Sequence, residues 1–240
     1  MIVLVVLAKA PEPGRVKTRL CPPATTGQAA DLAAAALLDT LDAVRGVPAH
    51  PLVALAGTLA HAARARELGA ALRGTTIVPQ RGPDLGARIA TAHADAAARW
   101  PGAPSLQIGM DTPQTDVPLL ADAAARLSAD RGPDAVLGPA ADGGWWALGL
   151  RDPQRAALIA GVPTSRDDTG ARTSATLRAA GLRVDLLCEL RDVDTPADAL
   201  AVAALAPHTR FAAAVAAMPA LHTPATVLST AADLGPLTTP

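Results

Sequence analysis

The sequence predicts an α/β fold with a mixed, mainly parallel sheet, and three observations lead to this prediction. Apolar stretches of strand length alternate with segments whose apolar residues recur at helical spacing. The first stretch, residues 2–7, is continuous and rich in β-branched residues, as expected of a strand covered on both faces. Farther along, two strand-like stretches follow one another with only a short glycine turn between them. Strands alternating with helices indicate a parallel sheet, and the close pair predicts one antiparallel strand.

Each element is predicted in chain order from periodicity and from the residues that end it. The predicted strands are 2–7, 52–56, 75–78, 105–109, 135–138, 145–150 and 183–187. The predicted helices are 25–44, 60–68, 87–100, 119–127, 169–180 and one that opens at Thr195. Gly69 and Gly181 are expected to close two of them. Residues 208–218 are helical in pattern, and the Ala, Thr and Pro-rich stretch 219–240 is expected to be an interface arm or a loosely held end.

Composition excludes several classes of protein. Half of the 240 residues are hydrophobic, so the chain should be globular rather than disordered. Its net charge of −1 argues against a protein that binds nucleic acid or an anionic membrane. The two cysteines match no zinc spacing, and with no predicted membrane span or signal peptide the sequence favours the cytoplasm.

A basic loop follows the first predicted strand. It carries Lys9, Arg15, Lys17 and Arg19 around a Gly/Pro-rich turn. Ligands of open α/β sheets bind beyond the carboxyl ends of the strands, and Arg and Lys both suit phosphate oxygens. The loop therefore predicts an anion site, although a solvated basic loop before a helix has the same pattern.

Carboxylates follow two other predicted strands. Asp111 comes directly after the fourth strand, and Asp192 and Asp194 come after the last. All three should lie at the same sheet edge as the basic loop. Mg²⁺ often takes one or two carboxylates together with substrate phosphates, so Asp111 and Asp194 are candidate metal ligands. Alternatively, Asp111 caps a turn, and Asp194 favours the dipole of the helix that follows.

The segment Asp142-Gly143-Gly144-Trp145-Trp146 is the other unusual stretch. Paired glycines leave backbone N–H groups accessible to the oxygens of an acceptor molecule. Adjacent tryptophans in a strand point to opposite faces, so one should be core and the other could wall a pocket. A hairpin turn with two core aromatics explains the same pattern. In a polar loop farther along the chain, Ser165 and Thr169 could contact substrate, although a helix N-cap also explains Thr169.

Taken together, these motifs resemble one protein family. The stretches LAKAPEPGRVKTRL, QRGPDLGARI, IGMDTPQTD, DGGWWALGL and VDTPADAL occur in the order seen in the DUF2064 family, also called radical-SAM/selenodomain-associated transferase 1 or arsenosugar-biosynthesis-type glycosyltransferases. The resemblance covers about residues 1–206 and implies a GT-A, nucleotide-diphospho-sugar transferase fold, a Rossmann-like three-layer sandwich. It makes 1–206 the transferase domain and 207–240 a C-terminal helix and tail. The first motif is also similar to that of phospholactate guanylyltransferases.

The resemblance implies roles for individual residues. It places the following around the nucleotide: Lys9, Ala10, Pro11, Gly14, Lys17, Arg19, Gln80, Leu85, Gly86 and Arg88. It implies Mg²⁺ or Mn²⁺ at Asp111 with Asp194, and it places the acceptor near Asp142, Gly143, Gly144 and Trp145. Two departures bear on the acceptor's identity: Trp145 stands where the family usually has Tyr, and Met110 and Thr112 flank Asp111 where the family has a small residue or Cys.

Three functions follow as hypotheses. The first is nucleotidyl transfer from an NTP to a small phosphorylated acceptor, in which Lys17, Arg19, Asp111 and Asp142 form the catalytic set. The alternative is a glycosyltransferase with an NDP-sugar donor, in which Asp142 is the general base. The third is a nucleotide-binding protein without catalysis. The expected partners are a nucleotide or nucleotide-sugar, a small acceptor and a second copy in a homodimer.

Overall fold

One seven-stranded sheet organises the computed structural model, which describes residues 1–222. Its strands are β1 (Ile2–Lys9), β2 (Ala49–Ala56), β3 (Thr76–Pro79), β4 (Ser105–Ile108), β5 (Ala135–Pro139), β6 (Trp145–Leu150) and β7 (Val184–Leu186). Their order is β3-β2-β1-β4-β6-β5-β7. Every neighbouring pair is parallel except the two that involve β6. The predicted mixed, mainly parallel sheet is confirmed, and β6 is the strand that follows the glycine turn.

Helices cover both faces of the sheet. They are α1 (Thr26–Arg45), α2 (Ala65–Ala71), α3 (Leu85–Arg99), α4 (Val117–Ser128), α5 (Thr169–Ala179), α6 (Pro196–Leu205), α7 (Arg210–Ala216) and α8 (Pro219–His222). Three 3-10 helices add Thr18–Leu20, Leu59–His61 and Pro153–Ile159. The apolar clusters place α1, α2 and α4 on one face, and α3, α5 and Pro153–Ile159 on the other. The result is the expected three-layer arrangement.

Strand β1 lies at the centre of the core. Ile2, Leu4 and Val6 pack towards α1 and α4, while Val3 and Val5 pack towards α3. All five side chains are buried, which is why the sequence of this strand is continuously apolar rather than alternating.

The sheet has a topological switch point beside β1. From β1 the chain moves outward through β2 and β3 on one side, and β4 pairs on the other side. Ligands of such sheets bind in the crevice outside the strand ends at this point. The loops after β1 and β4 are the two that border this crevice.

The C-terminal helices within the described residues pack on the outer surface of α1. Phe211 of α7 is 1% exposed, in a cluster with Leu32 of α1 and Val202 of α6. Asp39 of α1 accepts the backbone N–H groups of Arg210 and Phe211 at 3.0 and 2.8 Å. Residues 210–222 are thus closely packed on the rest of the chain. The apolar patch at 226–228, in the stretch expected to be an arm or loose end, lies outside the described residues.

The predicted helix at 60–68 is wrong. The chain forms a short 3-10 helix and then α2, and Gly69 lies inside α2 instead of closing it. Arg64 interrupts the helix in the left-handed conformation, with φ of 51°, and its guanidinium makes two hydrogen bonds of 2.7 Å to Asp31 of α1. This long-range ion pair outweighs the local helical pattern. The sequence pattern does not predict the helix Pro153–Ile159. The bounds of the predicted strand 145–150 match β6, and those of the other elements agree to within three residues.

The capping signals at Thr195 are confirmed. Thr195 and Asp198 form a reciprocal capping box, with Pro196 at the first helical position. None of the helices in residues 1–222 is long and apolar enough to cross a membrane.

Candidate active site

Three segments converge at the switch point. They are the loop after β1, the loop after β4 and the extended stretch 187–195. The third is fastened to the second, because Val193 donates its N–H to the Asp111 carbonyl at 2.9 Å and the Gln114 side chain donates to the Arg191 carbonyl at 2.7 Å. These bonds hold the two acidic segments together.

Lys17 lies between the two predicted metal ligands. Its Nζ is 2.7 Å from Asp111 Oδ1 and 3.2 Å from Asp194 Oδ1, and Arg19 contacts Asp194 Oδ2 at 3.3 Å. Burial lowers the pKa of the Lys17 ammonium, but the two carboxylates outweigh burial and the net pKa is raised. Lys17 has φ of 47°, a strained conformation for a residue with a side chain. The protein tolerates this strain where the ammonium neutralises two acids.

The predicted cations line one cavity of about 570 Å³. We call it the cationic cavity; its lining includes Lys9, Arg15, Lys17, Arg19, Met110, Asp111, Asp142, Ser165, Arg166, Asp167 and Asp194. Lys9 also orders the loop, because its Nζ donates to the Arg15 carbonyl at 2.7 Å. The structure therefore brings the basic loop and the acidic residues to one place, as the shared sheet edge predicts.

A second cavity, of about 310 Å³, adjoins the first. We call it the tryptophan cavity; its lining includes Leu7, Leu85, Ile89, Gln107, Thr112, Gly144, Trp145, Thr164, Thr169 and Asp192. Asp111, Asp142, Ser165, Arg166 and Asp194 line both cavities. The acids and the Ser165–Arg166 corner thus form the border between the two compartments.

Asp192 is a site residue to which sequence reasoning gave no role. Its Oδ1 is buried without a hydrogen-bond partner among the described residues. Burial, reinforced by the charges of Asp111 and Asp142, raises the pKa of Asp192 to about 7. The signal was present in the sequence, because residues two apart in an extended segment share a face, which puts Asp192 beside Asp194.

The donor chemistry fits a hard cation. Asp111, Asp194 and Asp192 offer only carboxylate oxygens, the ligands that Mg²⁺ and Mn²⁺ prefer, and one of these oxygens is the unpartnered Oδ1 of Asp192. Within residues 1–222 no group of three or more His, Cys, Asp or Glu residues is assembled for a metal. A site of two carboxylates completed by substrate oxygens needs no such group.

The backbone N–H groups of the paired glycines are engaged within the chain, although Gly144 lines the tryptophan cavity. Gly143 has φ of 86°, and a Cβ there would overlap the Asp167 carbonyl of the facing loop. Gly143 donates its N–H to the Ala140 carbonyl at 3.0 Å, and Gly144 donates to Asp142 Oδ1 at 2.8 Å. Both N–H groups are engaged, so the interpretation of them as exposed donors is wrong. The bond from Gly144 instead fixes the Asp142 carboxylate at the border of the cavities.

The two tryptophans point to opposite faces, as predicted. Trp146 is 2% exposed and donates its indole N–H to the Cys188 carbonyl at 3.0 Å. Trp145 is half-buried and walls the tryptophan cavity. The expected core aromatic is Trp146, which also borders the tryptophan cavity, and the expected pocket aromatic is Trp145.

Several residues assigned to the nucleotide make contacts within the chain. Gln80 bridges the carbonyls of Ala8 and Ala54 at 2.8 and 3.0 Å, and Arg88 donates to the Gly82 carbonyl at 3.2 Å. A Cβ on Gly86 would lie 2.7 Å from the Ala160 carbonyl, so this glycine permits close packing. Of this group only Leu85 lines a cavity, and it is the tryptophan cavity.

Other residues predicted to contact the nucleotide or the acceptor also make contacts within the chain. Ala10 and Pro11 are buried, and their backbones pair with Ala56 and Ala63, outside both cavity linings. Gly14 provides a positive φ of 76° in the basic loop. The Thr169 hydroxyl donates to the Pro163 carbonyl and accepts the Arg166 N–H, so it shapes the loop that carries Ser165.

The chain matches a family model over more than half its length. That model, described as an uncharacterized protein conserved in bacteria (DUF2064), covers residues 37–166. The chain belongs to the DUF2064 family. The resemblance drawn from the sequence motifs is therefore confirmed. No curated protein sequence matches this DUF2064 protein.

Solved structures share the fold. A crystal structure from Desulfovibrio desulfuricans G20, provisionally described as a nucleotide-diphospho-sugar transferase, is 26% identical, with a TM-score of 0.79 over 92% of this chain and 97% of that one. 4-Diphosphocytidyl-2C-methyl-D-erythritol synthase is 13% identical, with a TM-score of 0.55 over 85% and 96%. CMP:2-keto-3-deoxy-manno-octonic acid synthetase in complex with CTP is 12% identical, with a TM-score of 0.54 over 85% and 98%. The fold is that of nucleotide-using transferases.

Proposed function

We propose that this DUF2064 protein transfers a nucleotidyl group from an NTP to a small phosphorylated acceptor, with Mg²⁺ held by Asp111 and Asp194. The observation that carries the proposal is the cationic cavity, where four cations of the first loop and Arg166 line one space with the carboxylates of Asp111, Asp142, Asp167 and Asp194. A triphosphate carries more negative charge than the diphosphate of a nucleotide-sugar. The five cations outnumber the four carboxylates, and a bound Mg²⁺ would add to the positive charge, which favours the triphosphate.

The arginines and Lys17 would contact the phosphates in different ways, because they differ in exposure and in hydrogen-bonding geometry. Arg15 and Arg19 are largely exposed, with side chains 72% and 75% accessible, and can turn a planar fork towards phosphate oxygens. Lys17 is the buried point charge among them, with 10% of its side chain accessible. When bound, the metal ion would supply charge neutralisation at the phosphates.

The reaction is a displacement at the α-phosphorus. An oxygen of the acceptor phosphate forms the new bond, the bond to the β-phosphate breaks, and pyrophosphate leaves with the electron pair. Lys17 and Arg19 neutralise charge on the leaving group. Such an acceptor oxygen is already ionised near neutral pH, so the step needs no general base. Asp142, at the border of the cavities, would orient the acceptor.

Pyrophosphate release tests the proposal. Each of the four NTPs is incubated with Mg²⁺ and a panel of phosphorylated small molecules, using the wild type, Asp111→Asn and Asp194→Asn. We expect release with one NTP and at least a hundredfold loss in both variants. Asp122→Asn is the matched control, since Asp122 pairs with Arg126 on the surface of α4 and lines neither cavity. No release with any NTP would overturn the proposal.

One observation favours glycosyl transfer as a second candidate. Asp142 is fixed by the Gly144 N–H and lines both cavities, where a carboxylate could take the proton of an acceptor hydroxyl. The 26% identical structure also carries a nucleotide-sugar description. Slow hydrolysis of an NDP-sugar without acceptor, lost in Asp111→Asn, would select this candidate over nucleotidyl transfer.

A further inference from the structure

A buried polar side chain without a partner among residues 1–222 lies in the wall of the tryptophan cavity. On β4 the apolar residues Leu106 and Ile108 face α1 and α4, so Ser105 and Gln107 face the α3 side. Ser105 is paired there, with its Oγ 2.7 Å from His93 Nδ1. Gln107 is 3% exposed, and its Oε1 has no hydrogen-bond partner among the described residues. Leaving such a group unpaired costs stability, so its presence needs an explanation.

The surroundings of Gln107 are those of a small-molecule pocket. Leu7, Leu85, Ile89 and Trp145 supply apolar wall, and the Gln107 amide is set among them. The rest of the lining is largely polar, so the cavity combines an apolar side with several placed polar groups, as small-molecule sites do. The other unpartnered oxygen of this lining is Asp192 Oδ1, which lies with the carboxylates on the acidic side, whereas the Gln107 amide lies beside the apolar side and can both donate and accept.

We propose that the tryptophan cavity holds the body of the acceptor and that Gln107 selects a hydroxyl group on it. The proposal rests on the proposed function, because it assigns the cationic cavity to the nucleotide. A hydroxyl both donates and accepts, so it complements the amide in either orientation. The acceptor class is a small polyol phosphate or sugar phosphate, whose C–H faces suit Trp145.

The position of the cations supports this assignment of one cavity to the nucleotide and the other to the body of the acceptor. Within the described part of the chain the tryptophan cavity is lined by one cation, Arg166, which lies with Ser165 on the border with the cationic cavity. Arg166 is oriented by its Nε bond of 2.9 Å to Asp168. An acceptor phosphate at this corner would be next to the nucleotide, and its uncharged body would extend towards Gln107. The carboxylates on the same border disfavour a second anionic group deeper in.

The test compares hydroxylated and deoxy probes. Ribose 5-phosphate, glucose 6-phosphate and glycerol 3-phosphate are each paired with a deoxy analogue, and binding is measured by saturation-transfer NMR and turnover by pyrophosphate release. The wild type is expected to prefer one hydroxylated member by about tenfold or more. Gln107→Leu should reduce that preference to about threefold or less. Its melting temperature should be unchanged or higher, because the unpaired amide has been removed.

Ser105→Ala is the matched control. It alters a buried polar residue on the same face of β4 and should lower the melting temperature by orphaning His93, while it leaves the preference intact. A wild type without preference for any hydroxylated probe overturns the proposal, and so does a preference that survives in Gln107→Leu. Pyrophosphate release without a preference for hydroxylated over deoxy probes refutes the role of Gln107 but not nucleotidyl transfer. A preference in binding that Gln107→Leu abolishes, with no turnover of any NTP, refutes nucleotidyl transfer and supports the assignment of the cavity.

Discussion

Replacing Lys17 by Met should make the protein respond more strongly to Mg²⁺ in the absence of nucleotide. The ammonium contacts the oxygens of Asp111 and Asp194 that would hold the metal, so lysine and metal compete for them. Met keeps the apolar stem and removes the charge. The sign of the prediction is unusual, since loss of a site residue is expected to strengthen the binding of one ligand.

The magnitude follows from the geometry. Two unit charges about 4 Å apart interact by about 4 kcal/mol at an effective dielectric constant of 20. The carboxylate side chains are 42% and 40% accessible, so solvent screening reduces the effect. We take about 1–2 kcal/mol, which makes the Mg²⁺ dissociation constant about five- to thirtyfold lower. At saturating Mg²⁺ this adds about 2–8 °C to the metal-induced rise in melting temperature.

The assay is a thermal melt with and without Mg²⁺ at constant ionic strength. Lys9→Met is the matched control, because Lys9 lines the same cavity but its Nζ donates to the Arg15 carbonyl rather than to a carboxylate. Adding Asp111→Asn to Lys17→Met should abolish the gain. An equal Mg²⁺ response in wild type and Lys17→Met would refute the competition, and an equal gain in Lys9→Met would assign it to the general field of the loop.

Three further predictions concern stability and are checked by urea unfolding. Gly143→Ala should lower the free energy of unfolding by about 1–3 kcal/mol more than Gly102→Ala does. Both glycines have positive φ, but only Gly143 faces the Asp167 carbonyl, so equal losses would contradict the packing argument. Burial lowers the pKa of His93 to about 4, so the unfolded chain binds the proton first as pH falls below about 6.5. His93 should then contribute a loss of about 2 kcal/mol between pH 7 and pH 5, which the raised pKa of Asp192 opposes in the wild type. The contribution is measured as the difference between the wild type and His93→Leu, and equal pH dependence in the two would contradict it. Thr195→Ala should cost about 1 kcal/mol by removing the capping box, and no loss would contradict that role.

The sequence is informative where local chemistry and fold topology coincide. Parallel strands end at one edge of a sheet, so the predicted elements suffice to place the basic loop after β1 and the carboxylates after β4 and β7 at the same edge. The alternation of a strand likewise separates Trp145 from Trp146.

Contacts between distant segments cannot be predicted in this way. Lys17 and Asp194 are 177 residues apart, and nothing local to the basic loop indicates that its lysine bridges two acids. The sequence pattern indicates Ser165 and Thr169 and gives Arg166 no role. In the folded loop Arg166 lines both cavities together with Ser165, whereas Thr169 lines only the tryptophan cavity of the two. Gln107 is part of a short strand and carries no pattern of its own.

Nucleotide binding with and without Mg²⁺ tests the central claim most directly. The four NTPs and common NDP-sugars are titrated by calorimetry into the wild type and Asp111→Asn. We expect one NTP to bind in a Mg²⁺-dependent manner, with an affinity that is about tenfold or more weaker in the variant. Binding that is indifferent to both Mg²⁺ and Asp111, or no binding of any nucleotide, would contradict it.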